Sequence, residues 1–303
     1  MENKLTVKDS SISFLTTFIL CQLGTAFFAV AGLLVANIFG ISNPTFISFL
    51  NTCFGSLLLT LSMDIIMVIC YFLFSKNKNN KIIAKPQIKK ILIYIAIAIL
   101  CYITLYPVVN VFNRFIYLFF PESSLPYELT TTNYFISLIS MVILPAITEE
   151  LLFRGLIFKG LQKNGNTFAI IVSSIMFALF HLSLEQTIYP LLMGIVFAVI
   201  MCYENNIIYC ITVHLVNNFI TLTLQYLKIS LTFSHWTYFI LALVLIVVFT
   251  IVIILATKKL CNRTSLETNN NSKSTNKENK VYLICSLTIM SILWLIVQLT
   301  TIF

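Results

Sequence analysis

Long uninterrupted apolar runs dominate this sequence and restrict what it can fold into. The first of them, from Ile12 to Val35, contains no charged residue, and similar runs recur along the chain. A helix needs about 20 consecutive apolar residues to cross the hydrocarbon core of a membrane. We therefore predict an all-α fold, a polytopic membrane protein with eight or nine transmembrane helices. The candidate spans are 11–37, 46–74, 91–112, 133–158, 167–182, 187–203, 207–227, 236–257 and 281–303.

The composition leaves no room for a separate soluble domain. Hydrophobic residues make up 59% of the chain and charged residues 10%, whereas soluble domains are about 45–50% apolar and about 25% charged. We expect one membrane domain over residues 1–303. The segment 258–280 is rich in Asn, Ser, Thr and Lys and cannot bury a core, so it is predicted to be a flexible cytoplasmic loop.

The basic residues are distributed unequally between the two sides of the predicted spans. Sixteen of the nineteen Lys and Arg residues fall on the side of the N-terminus, and two, Arg114 and Lys228, fall on the other. Loops enriched in Lys and Arg remain in the cytoplasm. We expect a multi-pass protein of the cell membrane with a cytoplasmic N-terminus. The same distribution explains the net charge of +8 without a nucleic-acid partner.

The fourth predicted span carries charge that a lipid-facing helix cannot tolerate. Its segment "ITEELLFRG" (147–155) holds Glu149, Glu150 and Arg154. Three charges facing lipid would cost roughly 8–10 kcal/mol at about 2.5–3.5 kcal/mol each. They are predicted to face a cavity lined by protein. Glu150 and Arg154 are four residues apart and can pair, whereas Glu149 points about 100° away. A purely structural ion-pair cluster is an equally good interpretation of these three residues alone.

Three more polar residues lie at similar depths in neighbouring spans. Counting about 1.5 Å per residue from the cytoplasmic ends places His181, His214 and Asn218 at roughly 21, 10 and 16 Å, and Glu149 at roughly 14 Å. His214 and Asn218 share a helical face because they are four residues apart. A lone intramembrane histidine is often only a hydrogen-bonded core residue. Two of them near an acidic helix favour a functional site.

These residues form three motifs that resemble those of a known family. The segments "EELLFR" (149–154), "FALFH" (177–181) and "HLVNN" (214–218) match EExxxR, FxxxH and HxxxN boxes in that order. The chain is thereby similar to the CPBP or Abi family, which comprises the type II CAAX prenyl endopeptidases and bacterial relatives linked to bacteriocin processing and self-immunity. The resemblance covers about 133–227, which would be the peptidase core.

The resemblance implies an intramembrane peptidase that cuts a hydrophobic or membrane-anchored peptide or protein. It implies that Glu149, aided by His181, activates water, that His214 and Asn218 stabilise the oxyanion, and that Glu150 and Arg154 form a supporting ion pair. The active-site mouth is expected to face the cytoplasm. The alternative is a non-catalytic membrane protein, such as an immunity factor or a transporter, with the same polar cavity.

The expected mechanism uses no metal or other cofactor. Two histidines and a glutamate are a possible zinc ligand set, here His181, His214 and Glu149. The sequence lacks the H-E-x-x-H pattern of helical zinc sites, and the three ligands would come from three different helices. Zinc remains the alternative to a metal-free site.

Overall fold

The computed structural model describes residues 4–76, 78, 81–122, 124–229 and 277–300, together with positions 237, 240 and 244. Apart from those three positions, the predicted span 236–257 lies outside these residues, as does most of the predicted loop 258–280. The helices of the described ranges, numbered in chain order, are α1 (Val7–Ile38), α2 (Asn43–Leu50), α3 (Cys53–Ser75), α4 (Ile88–Ile116), α5 (Thr131–Asn164), α6 (Asn166–Phe180), α7 (Ile188–Glu204), α8 (Ile207–Tyr226) and α9 (Lys277–Thr300).

Most of these helices have the length and composition of membrane spans. Within the described ranges, six are long and apolar enough to cross a bilayer, namely α1, α3, α4, α5, α8 and the central part of α9. Helices α6 and α7 are equally apolar but shorter. The prediction of an all-α polytopic membrane protein is confirmed, and no strand occurs among the residues that the structure describes.

The predicted second span, 46–74, is wrong at its start. The chain forms two helices there, the short α2 and the long α3, separated at Asn51 and Thr52. The Thr52 hydroxyl accepts a hydrogen bond from the Gly55 amide at 3.1 Å and so begins a new helix. The apolar run continues through this break, which is why hydropathy alone reads it as one segment.

Lysine contacts define one end of the bundle. Lys78 pairs with Asp9 at 3.3 Å, and Lys90 pairs with Glu204 at the end of α7. Lys159, near the end of α5, contacts Asn205. We call this end the lysine face. It brings together the starts of α1, α4, α6, α8 and α9 and the ends of α3, α5 and α7.

The opposite end, here the far face, is held by contacts of its own. The Thr131 hydroxyl at the start of α5 lies 3.1 Å from the Tyr226 hydroxyl at the end of α8. Gln298 of α9 binds the backbone of Leu182 and Leu184 in the loop between α6 and α7. The lysine contacts described above lie at the opposite end from these two contacts. The grouping of most lysines at one end, predicted from the sequence, is thus present in the described residues.

The second half of α5 forms the centre of the bundle. Its residues from Leu152 to Phe158 are almost completely inaccessible. Helix α1 approaches it closely where the contact residues are small. The Ser10 hydroxyl donates to the Ile157 carbonyl at 2.8 Å, and Gly160 leaves no room for a side chain beside Ser10. Small and hydroxylated residues at helix contacts are typical of membrane bundles.

Candidate active site

Helix α5 departs from α-helical geometry on both sides of the glutamate pair. The segments Leu138–Ile143 and Leu151–Phe158 are π-helical. In the first of them, the Leu144 amide donates to the carbonyl of Ile139, five residues earlier. Such π segments in α-helices are frequent at functional sites. The two irregular turns flank Glu149 and Glu150.

Glu150 and Arg154 form the predicted ion pair. The Arg154 Nη1 lies 3.2 Å from Glu150 Oε1, and both side chains are fully buried. Arg154 Nη2 also donates to the Gly194 carbonyl at 3.0 Å. The guanidinium lies 4.5 and 5.0 Å from the ring centres of Phe177 and Phe197. The cation is thus held by a carboxylate, a carbonyl and two aromatic faces.

His214 joins this ion pair to the second glutamate. Its Nδ1 lies 2.9 Å from Glu150 Oε1, and its Nε2 lies 3.9 Å from Glu149 Oε2. The imidazole stacks on the Phe197 ring with 4.9 Å between the centres. Since Glu150 also binds Arg154, its carboxylate accepts a hydrogen bond and Nδ1 carries the hydrogen. The Nε2 atom is left on the side of Glu149.

The two adjacent glutamates have different surroundings, as the helical geometry predicts. The Glu150 side chain is completely buried, whereas 16% of the Glu149 side chain is exposed. Glu149 lines a cavity of about 470 Å³. Glu150 lies behind it in the ion pair with Arg154.

All four predicted catalytic residues line this one cavity, namely Glu149, His181, His214 and Asn218. The walls beside them are aromatic and apolar. The wall residues include Tyr102, Tyr106, Val109, Phe177, Tyr189, Met193, Phe197 and Leu222. Polar side chains set among aromatic and apolar walls are typical of ligand-binding sites.

His181 stands at the end of α6, where the helix stops and Leu182 turns to a positive φ of 51°. Its Nδ1 lies 2.9 Å from the carbonyl oxygen of Phe177. A carbonyl can only accept, so Nδ1 carries the hydrogen. In the neutral ring, Nε2 is then the hydrogen-bond acceptor.

Asn218 is oriented by a defect in α5. Pro145 has no amide hydrogen, so the carbonyl of Met141, four residues earlier, lacks its α-helical donor. The Asn218 Nδ2 donates to that carbonyl at 3.1 Å. The sequence indicates that Pro145 disturbs the helix, but not that Asn218 compensates for it.

Sequence reasoning missed two polar residues beside Asn218. Asn217 is buried, and its Oδ1 accepts a hydrogen bond from the Tyr189 hydroxyl. Its Nδ2 lies 3.4 Å from Asn218 Oδ1. The position of Asn217 three residues after His214 placed it on the same side of the helix, and this was the available signal. No pattern pointed to Tyr189.

The buried carboxylate of Asp64 in α3 stands apart from the cavity lining. Its Oδ1 accepts a hydrogen bond from the Thr148 hydroxyl at 2.6 Å. Thr148 precedes Glu149, so the contact ties α3 to α5 directly behind the site. This hydrogen bond between Thr148 and Asp64 holds the two spans together, which is a structural role for Asp64.

The described residues do not form a metal site. No group of three or more His, Cys, Asp and Glu side chains within them is arranged to hold a metal ion. The alternative zinc set of His181, His214 and Glu149 does not form such a group.

The comparison with protein families agrees with this geometry. Residues 131–220 match the family described as "Type II CAAX prenyl endopeptidase Rce1-like". The matched segment runs from α5 into α8 and contains all four cavity residues named above. The resemblance predicted from the three motifs is confirmed over this segment, and it implies a protease in a multi-pass membrane protein. Comparisons with curated proteins and with solved structures found no significant match.

Proposed function

We propose that this protein is an intramembrane endopeptidase that hydrolyses a peptide bond in a hydrophobic or membrane-associated substrate. One observation carries the proposal. Of two adjacent glutamates, Glu150 is paired with Arg154 and accepts a hydrogen bond from His214, while Glu149 faces a cavity that also holds His181 and Asn218. A purely structural charge cluster does not need one carboxylate directed into a cavity.

Glu149 is the general base in this proposal. A water molecule between Glu149 and His181 donates one hydrogen to the carboxylate and the other to Nε2 of His181. Transfer of the first proton to Glu149 produces a hydroxide, which attacks the scissile carbonyl carbon. The His181 ring is held for this task because its Nδ1–H is fixed on the Phe177 carbonyl. Positioned acid–base groups contribute about 10²–10⁴ in rate.

The oxyanion that forms in the attack needs hydrogen-bond donors. One N–H of the Asn218 amide is used by Met141, and the second is available to the substrate. His214 can donate from Nε2 when its ring is protonated at both nitrogens. Donors fixed before the reaction stabilise the oxyanion most strongly in a site that excludes water. Glu149 then returns its proton to the leaving amine, which balances the hydrolysis.

The rival function is a non-catalytic membrane protein, either an immunity factor or a transporter, that uses the same polar cavity. The experiment that separates the two compares the peptides of cells making the wild type, Glu149→Gln and Glu122→Gln. Glu122 is an exposed carboxylate in the loop before α5 and serves as the matched control. We expect peptide products with wild type and Glu122→Gln that disappear with Glu149→Gln. Identical peptide patterns for all three, with equal amounts of protein, would favour the rival.

A further inference from the structure

The cavity is closed towards the lysine face. Below Arg154 and His214, towards that face, the interior is filled by apolar side chains that are at most 2% exposed. They come from α5, α7, α8 and the loop before α4, and they are Leu156, Phe158, Leu161, Met201, Ile207, Cys210 and Ile82. A layer packed to this degree leaves no path for a peptide.

The loop between α3 and α4 completes this closure. Its Ile82 carbonyl accepts a hydrogen bond from the Ile207 amide at 2.8 Å, and its Ala84 carbonyl accepts one from Asn206 at 3.0 Å. The Ile82 side chain reaches Gly155, where an added Cβ would lie 2.8 Å from its Cδ1. Residues 82–84 of the loop are therefore anchored to the start of α8, and Ile82 is packed onto α5 beneath the site.

The side chains that line the cavity become more exposed towards the far face. Along α8, His214 is buried, Asn218 is half-buried, and Thr221 and Gln225 are exposed. Gln225 lies eleven residues beyond His214, about 16 Å further from the lysine face. The other polar lining residues at this end are Asn113, Glu185 and Gln186. They come from the end of α4 and the α6–α7 loop, both at the far face.

We infer that the site takes its substrate from the extracytoplasmic side of the membrane. The lysine face is cytoplasmic by the distribution of basic residues, and the cavity opens at the other end. This inference replaces the expected cytoplasmic mouth, because α1 begins at the lysine face and the cavity opens at the opposite end of the bundle. This inference rests on the proposed peptidase function. It defines the substrate class as hydrophobic peptides exposed to the outer side, such as exported peptides or outer ends of membrane segments.

Thiol accessibility tests the side of the opening without depending on activity. Gln225→Cys at the mouth and Gln87→Cys in the exposed loop at the lysine face are introduced into a chain without native cysteines. Intact cells are treated with a membrane-impermeant charged maleimide. We expect labelling of Gln225→Cys in intact cells to match that after permeabilisation, and labelling of Gln87→Cys only after permeabilisation. The reverse pattern, or access to Gln225→Cys only after permeabilisation, would overturn the inference.

A second version of the experiment is informative even if the cysteine-free chain does not fold. The same two substitutions are made with the native cysteines present, and labelling gained over the unsubstituted protein is measured. Activity is then compared in right-side-out and inverted vesicles, using an impermeant peptide that spans the cleavage site of a product lost with Glu149→Gln. Cleavage in inverted vesicles alone would contradict an outer opening. The expected labelling with no Glu149-dependent peptide would instead reject the peptidase function and leave the opening intact.

Discussion

Replacing the three charged residues of α5 one at a time should separate stability from activity. Arg154→Gln leaves the buried Glu150 carboxylate without its cation. It also removes the donor to the Gly194 carbonyl and the charge held between the Phe177 and Phe197 rings. These losses overlap, so we take the range of about 3–5 kcal/mol for breaking a buried ion pair. Glu150→Gln should have a similar effect because it also disturbs His214.

Glu149→Gln should behave differently. Its side chain is partly exposed in the cavity, and its polar neighbour, His214 Nε2, is 3.9 Å away. The amide has nearly the same shape as the carboxylate, so the free energy of unfolding should change by no more than about 0.5 kcal/mol, as at sites away from buried networks. Loss of the general base should reduce kcat by about 10²–10⁴.

The assay measures thermal unfolding in detergent and peptide cleavage on the same purified variants. Arg154→Gln and Glu150→Gln should have lower unfolding temperatures than wild type, while Glu149→Gln should match it and be inactive. If Glu149→Gln unfolds as readily as Arg154→Gln, all three charges form one structural cluster. The peptidase proposal would then lose its base.

Three further predictions concern the walls and floor of the site. Asn218→Ala should lower kcat by about 10²–10³, the usual loss for one oxyanion donor, with little change in KM; a change in KM alone would place Asn218 in substrate binding. Cleavage by purified protein should survive strong chelators, because the described residues contain no group of three His, Cys, Asp or Glu side chains that could hold a metal ion; turnover that stops on metal removal and returns with zinc would contradict this. Gly155→Val should destabilise the protein by about 1–3 kcal/mol by overpacking, since an added Cβ meets Ile82 at 2.8 Å and Tyr71 at 3.0 Å; an unchanged unfolding temperature would show that the loop before α4 is not packed there.

Helical periodicity together with the three motifs predicted the cluster of site residues. The spacing of Glu149, Glu150 and Arg154 fixes which of them pair, and the estimated depths of His181 and His214 agree with one layer within the roughly two to four residues by which predicted helix ends vary. These relations depend on the rise and turn of single helices, which the sequence determines locally. The resulting prediction of one shared cavity agrees with the structure.

The direction of the opening could not be obtained in the same way. It depends on which interhelical space is filled, and the filling side chains, such as Leu156 and Ile207, look in the sequence like lipid-facing ones. The loop residue Ile82 is equally uninformative, because its contact with α8 spans more than a hundred residues. The hydrogen bond from Tyr189 to Asn217 was not predicted because it also joins residues of two different helices.

The proline in α5 fixes the orientation of the Asn218 side-chain amide in the candidate active site. An asparagine amide can usually rotate by 180° and exchange its donor and acceptor ends at little cost. Here the exposed carbonyl of Met141 accepts only N–H, so the nitrogen of Asn218 must face α5 and its oxygen must face Asn217. In the proposed mechanism, a substrate carbonyl would therefore meet an amide whose ends have already been assigned. Pro145, which has no side-chain group for chemistry, would thereby set which atom of Asn218 the proposed reaction encounters.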